Sequence, residues 1–299
     1  MDDPKAHPAA RFSPALLALL LAVALFWGLN WPVMKIAVQE IPPFGFRGFS
    51  LLLGGLGLLG IARARSPHYL PPQGKWRVLG WISLVNISAW NAFSIYAITL
   101  LPSGRAALLG YTMPVWSLLL SVLWLRETLT RRGIAGLALG ALGIFFMLGA
   151  EIVALSGAPL GVVLMLVAAF SWALGIVSIK RFPIAMSSIA FSGWMMVLGG
   201  LPVALLSLLL EWSRWRLPGF WPAAGFFYNV FVTVMFCYWA WNYIVLRLPV
   251  AVSSLSSLLV PLIGVLGGML LLGEKPGWGE ALGTLCILGA VATVAFGRR

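Results

Sequence analysis

The amino-acid sequence predicts an all-α integral membrane protein with ten transmembrane helices arranged as two inverted five-helix repeats. The first observation is composition. Of the 299 residues, 61% are hydrophobic and only 9% are charged, whereas soluble domains carry about 25% charged residues. The mean hydropathy is +0.98. The positive charges, which give a formal net charge of +12, fall in short gaps between apolar stretches, so they indicate membrane topology and not nucleic-acid binding.

The second observation is an internal repeat, which is the sequence signature of a duplicated structural unit. At a constant offset of 147 residues, the matching pairs are Tyr96 and Tyr243, Pro102 and Pro249, Pro114 and Pro261, and Glu127 and Glu274. At an offset of 145 residues, they are Trp27 and Trp172, Lys35 and Lys180, Phe46 and Phe191, and Gly48 and Gly193. We therefore divide the chain into a first repeat over residues 14–150 and a second repeat over residues 158–297.

The spans themselves follow from length and apolarity, because a membrane-crossing helix needs about 20 apolar residues. In chain order, the predicted spans are residues 14–36, 43–62, 76–100, 103–125, 131–150, 158–179, 186–210, 219–246, 250–272 and 279–297. The first apolar stretch runs on without a clean cleavage site, so we expect it to be a retained helix. Since each repeat has an odd number of helices, the second enters the bilayer from the opposite side, an arrangement typical of transporters.

The orientation in the membrane follows from the lysine and arginine residues. With the amino terminus inside, 14 of the 20 lie on the cytoplasmic side and six, Arg47 among them, lie on the other side. Both termini are therefore expected to be cytoplasmic.

The ionisable residues argue against several kinds of chemistry. The two aspartates and two histidines lie outside the predicted spans, and the six glutamates lie at helix ends or in loops. No carboxylate or imidazole is left in mid-membrane for a proton relay, for hydrolysis or for a metal site. We expect no enzyme, no metal and no cofactor, and we favour facilitated movement over proton-coupled transport.

The polar groups within the spans are neutral and are accompanied by aromatic side chains. Asparagines have no reason to face lipid, so they are expected to face the interior. There they either link helices by hydrogen bonds or line a cavity for a small molecule. The candidate substrate-binding residues are Trp27, Asn30, Asn86, Trp90, Asn91, Tyr96, Tyr111, Trp172, Asn229, Tyr238, Trp239, Asn242, Tyr243 and Ser254.

The two repeat-related prolines are candidate hinges. Pro114 and Pro261 each fall at the middle of a predicted span. A proline there removes a helical hydrogen bond and clashes with the preceding turn. Two kinks at equivalent depths would allow one part of each repeat to rock against the other.

The five-helix halves, with a tryptophan in each first helix and the stretch from proline to glutamate in each fourth helix, resemble the EamA family of the drug/metabolite transporter superfamily. Within that family, the chain resembles the YddG-type amino-acid exporters. The resemblance implies export of amino acids, aromatic or other neutral ones, or of similar small metabolites, across a bacterial inner membrane by alternating access. The alternative is a drug or other metabolite permease of the same superfamily that is proton-coupled. We expect the lipid bilayer and a small molecule as partners, no nucleic acid, and a monomer or weak homodimer.

Overall fold

The computed structural model describes residues 14–66, 68–126, 131–153, 159–245, 260, 263–275 and 277–295. All regular structure in these residues is helical, without a strand, so the all-α prediction is confirmed. Several helices begin with a proline in the first turn, where its missing N–H leaves no helical hydrogen bond unmade. The helices of the first half are α1 (Pro14–Ala37), α2 (Pro43–Arg65), α3 (Trp76–Leu100), α4 (Ser103–Leu125) and α5 (Arg131–Val153).

The second half contains five helical stretches in the same order. They are α6 (Pro159–Arg181), α7 (Ser188–Leu210), α8, α9 (Ile263–Leu272) and α10 (Trp278–Ala295). Helix α8 consists of three consecutive segments, Phe220–Tyr228, Asn229–Cys237 and Tyr238–Val245. A short 3₁₀ turn, Trp212–Arg214, precedes it.

Two of these helices contain π-helical segments. The segment in α3 is Leu84–Ala89, and the segment in α8 is Asn229–Cys237. They begin 145 residues apart, which is the offset that relates the first helices of the two halves. A π-helical turn shifts the direction of the side chains that follow it and is frequent at functional sites.

Seven of the helices in the described part of the chain are long and apolar enough to cross a membrane. Shorter apolar stretches lie in the other three, at Ile134–Gly143, Ile263–Leu272 and Ala281–Ala290. Large apolar side chains such as Leu209, Leu270 and Trp278 are exposed on the outside. A polytopic membrane protein presents such a surface to lipid, while the count of ten spans stays a prediction.

Helix α4 is interrupted where we expected a kink. Its two parts are Ser103–Gly110 and Met113–Leu125, and Pro114 lies in the first turn of the second part. Because a proline cannot donate to the carbonyl four residues earlier, the helix ends at Gly110 and restarts after Tyr111 and Thr112. The interruption lies at the proline where we expected a kink, and its role as a hinge stays a prediction. Pro261 and Glu127 lie outside the described residues.

Two carboxylates, that of the buried Glu211 and that of the half-buried Glu274, hold the ends of helices from different halves together. Glu211, at the end of α7, accepts hydrogen bonds from the backbone N–H groups of Phe44 (3.2 Å) and Gly45 (3.0 Å) in the first turn of α2. Glu274, just after α9, accepts from the backbone N–H groups of Ser103 (2.7 Å) and Gly104 (3.1 Å) in the first turn of α4. Negative charge is favourable at a helix amino terminus, where the first N–H groups lack helical partners.

Replacing Glu211 by alanine is expected to lower the free energy of unfolding by about 1–3 kcal/mol, because it leaves two N–H groups without an acceptor in a buried setting. Glu40 is the matched control, since its carboxylate accepts from the Gly219 N–H (2.6 Å) but is exposed. Water can replace that acceptor, so Glu40→Ala should cost less. The thermal unfolding midpoints of the two purified variants test this, and equal shifts would contradict it.

Candidate functional site

A small central cavity with a volume of about 60 Å³ lies between the two halves. Residues from α1 to α4 and from α6 and α8 contribute to its wall. The lining residues are Trp27, Asn30, Trp31, Met34, Arg47, Trp90, Ser94, Tyr111, Met113, Trp172, Thr233, Tyr238 and Val260. Six of the predicted site residues are among them, namely Trp27, Asn30, Trp90, Tyr111, Trp172 and Tyr238.

Aromatic rings form a continuous wall that crosses from one half to the other. The rings of Trp90 and Trp172 have centroids 5.1 Å apart, and those of Trp172 and Tyr238 are 6.0 Å apart. Trp27 meets Tyr238 edge to face at 5.5 Å. Four helices, α3, α6, α8 and α1, are thus joined through one set of rings. Such a wall favours a ligand with a flat or apolar body.

A buried arginine, which we had placed on the membrane surface, lies at this cavity. Arg47 is only 4% exposed, and its Nη1 donates to Asn229 Oδ1 (2.5 Å). The count of positive charges assigned Arg47 to the non-cytoplasmic side as a topology signal, because it stands near the start of α2, and did not anticipate that its side chain is buried. A signal of its burial was present in the sequence: Arg47 lies between Phe46 and Gly48, and both of these residues recur at the equivalent positions of the second half. Their recurrence indicates a shared packing position within the repeat.

The hydrogen bonds of Asn229 continue away from Arg47 to a second asparagine. Asn229 Nδ2 donates to Asn30 Oδ1 (2.5 Å), and the Thr233 hydroxyl donates to the same oxygen (3.0 Å). The Ser50 hydroxyl is 3.4 Å from Asn229 Oδ1. Asn229 and Thr233 both belong to the π-helical segment of α8. This network links α1, α2 and α8 and fixes the direction of the Arg47 guanidinium.

Two further predicted asparagines, both in α3, are buried, and their side chains form hydrogen bonds to helix backbone carbonyls. Asn86 Nδ2 donates to the carbonyl of Trp172 (3.1 Å), so it links α3 to α6 beside the cavity wall. Asn91 Nδ2 donates to the carbonyl of Ile87 (2.7 Å) within its own helix. The contact of Asn86 fits the interpretation that asparagines link helices, whereas the hydrogen bond of Asn91 links no second helix.

Three predicted aromatic residues lie away from the cavity. Tyr96 is 41% exposed, and its ring stacks on Phe44 at 6.0 Å. Trp239 and Tyr243 contact each other at 5.7 Å on another face of α8, where Trp239 packs beside α1. The structure thus does not bring these three to the site. The side chain of Asn242, and the whole of Ser254, lie outside the described residues.

Among the described lining residues, Arg47 carries the single formal charge. The described part of the chain also contains no group of three histidine, cysteine, aspartate or glutamate side chains that could hold a metal ion. The geometry therefore provides an arginine, neutral hydrogen-bonding groups and aromatic faces, which suits recognition of a small molecule.

The sequence profile of the EamA-like transporter family matches the chain twice, over residues 14–149 and 159–296. The chain belongs to the EamA-like transporter family. The resemblance noted from the repeat is therefore confirmed. As an EamA-like protein the chain is a multi-pass membrane transporter, and its cavity lies between the parts covered by the two matches.

Individual EamA-like relatives align over nearly the whole chain. "Uncharacterized transporter YoaV" of Bacillus subtilis is 25% identical over 286 residues, which are 94% of this chain and 97% of the relative. "Probable amino-acid metabolite efflux pump" of Salmonella typhimurium is 28% identical over 294 residues, 94% of this chain and 95% of the relative. "Uncharacterized inner membrane transporter YedA" of Escherichia coli K12 is 27% identical over 286 residues, 95% of this chain and 91% of the relative.

The fold also matches a solved crystal structure. The alignment has a TM-score of 0.69 and 20% sequence identity, and it covers 95% of this chain and 97% of the solved one. At that identity the structural similarity supports the fold of this EamA-like chain and gives no information about its substrate.

Proposed function

We propose that this transporter exports neutral amino acids, or similar small metabolites, across a bacterial inner membrane by alternating access. The observation that carries the proposal is the cavity built jointly by the two halves, with aromatic walls from Trp27, Trp90 and Trp172 and neutral donors and acceptors such as Asn30 and Thr233. A site between two repeats is where transporters of this kind bind substrate.

Two relatives support the finer parts of the proposal. The Salmonella typhimurium relative is named as an amino-acid metabolite efflux pump, and the Escherichia coli relative as an inner-membrane transporter. The constant offsets in the sequence support two five-helix units over residues 14–150 and 158–297, and their odd number of helices gives them opposite orientation. The distribution of lysine and arginine supports both termini in the cytoplasm. Rocking of these units about the central cavity would expose it to each side in turn.

Proton coupling is the second candidate mechanism, and the cavity wall favours the uncoupled one. Among the described lining residues there is no carboxylate or imidazole to carry a proton. The three glutamates whose contacts are defined, Glu40, Glu211 and Glu274, accept hydrogen bonds from helix amino termini. The absence of a proton carrier from the described wall favours movement of the substrate down its own concentration gradient.

The test is transport by purified protein in proteoliposomes, with a panel of radiolabelled neutral amino acids and with and without a pH gradient. We expect uptake of at least one aromatic or branched amino acid, with a rate that is the same in both conditions. Transport of none of the panel would overturn the amino-acid proposal. Strict dependence on the pH gradient would overturn uncoupled transport and leave the proton-coupled permease.

Replacing Pro114 by alanine is expected to slow transport several-fold while leaving the folded yield nearly unchanged. Alanine restores the N–H group that can bond the Gly110 carbonyl, so the break in α4 can close into a continuous helix and lose its freedom to bend. The initial transport rate per reconstituted molecule, set against the monodisperse yield, measures this. Equal losses of both, or an unchanged rate, would remove the hinge from the mechanism.

A further inference from the structure

The charge of Arg47 has no counter-ion in the described part of the chain. Its guanidinium donates to Asn229 Oδ1, and its Nε atom is buried without a hydrogen-bond partner. An arginine carries five N–H donors, has no acceptor and stays protonated in proteins. Burying such a charge without an anion is costly, so charged groups within membrane spans usually serve a function.

The three glutamates with defined contacts do not supply that anion. Glu211 bonds the amino terminus of α2, Glu274 bonds that of α4, and Glu40 bonds the Gly219 N–H ahead of α8. Each carboxylate is therefore occupied at a helix end, away from the cavity wall. The described part of the chain thus offers Arg47 no anion, and a molecule that enters the cavity can supply one.

The repeat shows that the arginine is not a packing requirement of its position. Phe46, Arg47 and Gly48 in α2 correspond to Phe191, Ser192 and Gly193 in α7. The flanking phenylalanine and glycine are kept, while the central residue is a small serine in the second half. The same helix position thus accepts a side chain without charge.

The surroundings of Arg47 are arranged to hold and direct its guanidinium. Asn229 is held in turn by Asn30, which also accepts from the Thr233 hydroxyl. A second buried group on the cavity wall, the Ser94 hydroxyl, likewise has no hydrogen-bond partner. Both Arg47 and Ser94 are donors that a carboxylate can satisfy.

An ammonium group finds no comparable partner in the described cavity wall. The hydroxyl oxygens of Ser94, Tyr111 and Tyr238 can accept a hydrogen bond from an ammonium group but carry no charge. The tryptophan rings add only the weaker attraction of a cation to an aromatic face. Arg47 repels a second positive charge in the same low-dielectric space. The wall therefore binds the carboxylate and the apolar body of a molecule, and the amino group contributes little to the binding affinity.

We propose that Arg47 binds the carboxylate of the transported molecule, and that the substrates include aromatic or apolar carboxylic acids with no amino group. The inference rests on the proposed transport function and names the substrate class of the same cavity. It predicts that a substrate needs its carboxylate and does not need its ammonium group.

Three probes of one carbon skeleton test this: phenylalanine, 3-phenylpropionate, which lacks the amino group, and phenethylamine, which lacks the carboxylate. Binding to the purified native protein is measured by calorimetry. We expect the two carboxylates to bind with similar affinity, and the amine to bind about tenfold more weakly or worse, since a hydrogen bond to a charged group is lost. An amine that binds as tightly as phenylalanine, or failure of all three probes to bind, would overturn the inference.

Arg47→Gln and Arg47→Lys variants locate the effect. Glutamine should reduce carboxylate binding by about tenfold or more, and lysine, which keeps the charge but not the planar fork, should restore part of it. Retention of full carboxylate affinity by the folded Arg47→Gln variant would overturn the assignment. If the carboxylates bind at Arg47 but no amino acid crosses in proteoliposomes, the transport proposal fails and the binding assignment stands. If amino acids cross while none of the probes binds, the assignment fails and the transport proposal stands.

Discussion

Replacing Gly48 by alanine is expected to prevent most of the chain from reaching its folded state. A Cβ atom added at Gly48 would lie 2.5 Å from the Cα atom of Ala204 and 2.9 Å from its Cβ atom. Overpacking a tight contact costs ~1–3 kcal/mol and occasionally more. We expect a cost at or above about 3 kcal/mol here, because the atoms that must move belong to the backbone of α7.

The yield of monodisperse protein and the thermal unfolding midpoint measure the Gly48→Ala effect. Gly60→Ala is the matched control in the same helix, since a Cβ atom there meets nothing within 4 Å. The double variant Gly48→Ala with Ala204→Gly should stay defective, because the clash with the α7 backbone remains. Recovery of the double variant, or equal behaviour of Gly48→Ala and Gly60→Ala, would contradict the close approach of α2 and α7.

Asn229→Asp is expected to keep the fold and to lose transport. Asn229 Oδ1 already receives the Arg47 Nη1 donor, so a carboxylate at the same place becomes a permanent counter-ion for the guanidinium. Asn30 can turn its carboxamide so that its Nδ2 donates to the new carboxylate. We expect the transport rate for an amino-acid substrate to fall about tenfold or more, as a charge-assisted hydrogen bond worth ~1.5–3 kcal/mol is lost.

The Asn229→Leu variant distinguishes two effects on Arg47: neutralisation of its charge by a carboxylate, and loss of the hydrogen bond to Asn229 Oδ1. Leucine removes the acceptor and supplies no charge, so this variant should be less stable than the native chain by about 1.5–3 kcal/mol. The unfolding midpoint of Asn229→Asp should instead equal or exceed that of the native protein. A stable Asn229→Asp variant that transports at the native rate would contradict the role given to Arg47.

The sequence predicted the elements of the fold well because lipid imposes strict rules on the backbone. Apolar stretches of about 20 residues must be helical in a bilayer, since no other partner satisfies their N–H and C=O groups. The same rule placed asparagines in the interior, and Asn30, Asn86, Asn91 and Asn229 are all buried.

The directions of the aromatic side chains could not be predicted in the same way. Lipid and the helix interior are both apolar, so hydrophobic periodicity does not tell which face of a span meets another helix. Tyr238 faces the cavity while the neighbouring Trp239 does not, and the π-helical segment before them shifts the face that α8 presents. The burial of Arg47 was missed for a related reason: counting charges assigns a residue to a side of the membrane and ignores whether its side chain is buried.

Accessibility of Ser94→Cys to a membrane-impermeant thiol reagent tests the central claim, that one cavity opens to each side of the membrane in turn. Ser94 lines the cavity, is 1% exposed and has an unpartnered hydroxyl, so the thiol fits in its place. The native chain, whose Cys237 is buried and Cys286 half-buried, sets the background. We predict labelling above that background in both right-side-out and inside-out vesicles, slowed in each by a transported amino acid. Labelling from one side only, or labelling that the substrate does not slow, would contradict alternating access through this cavity.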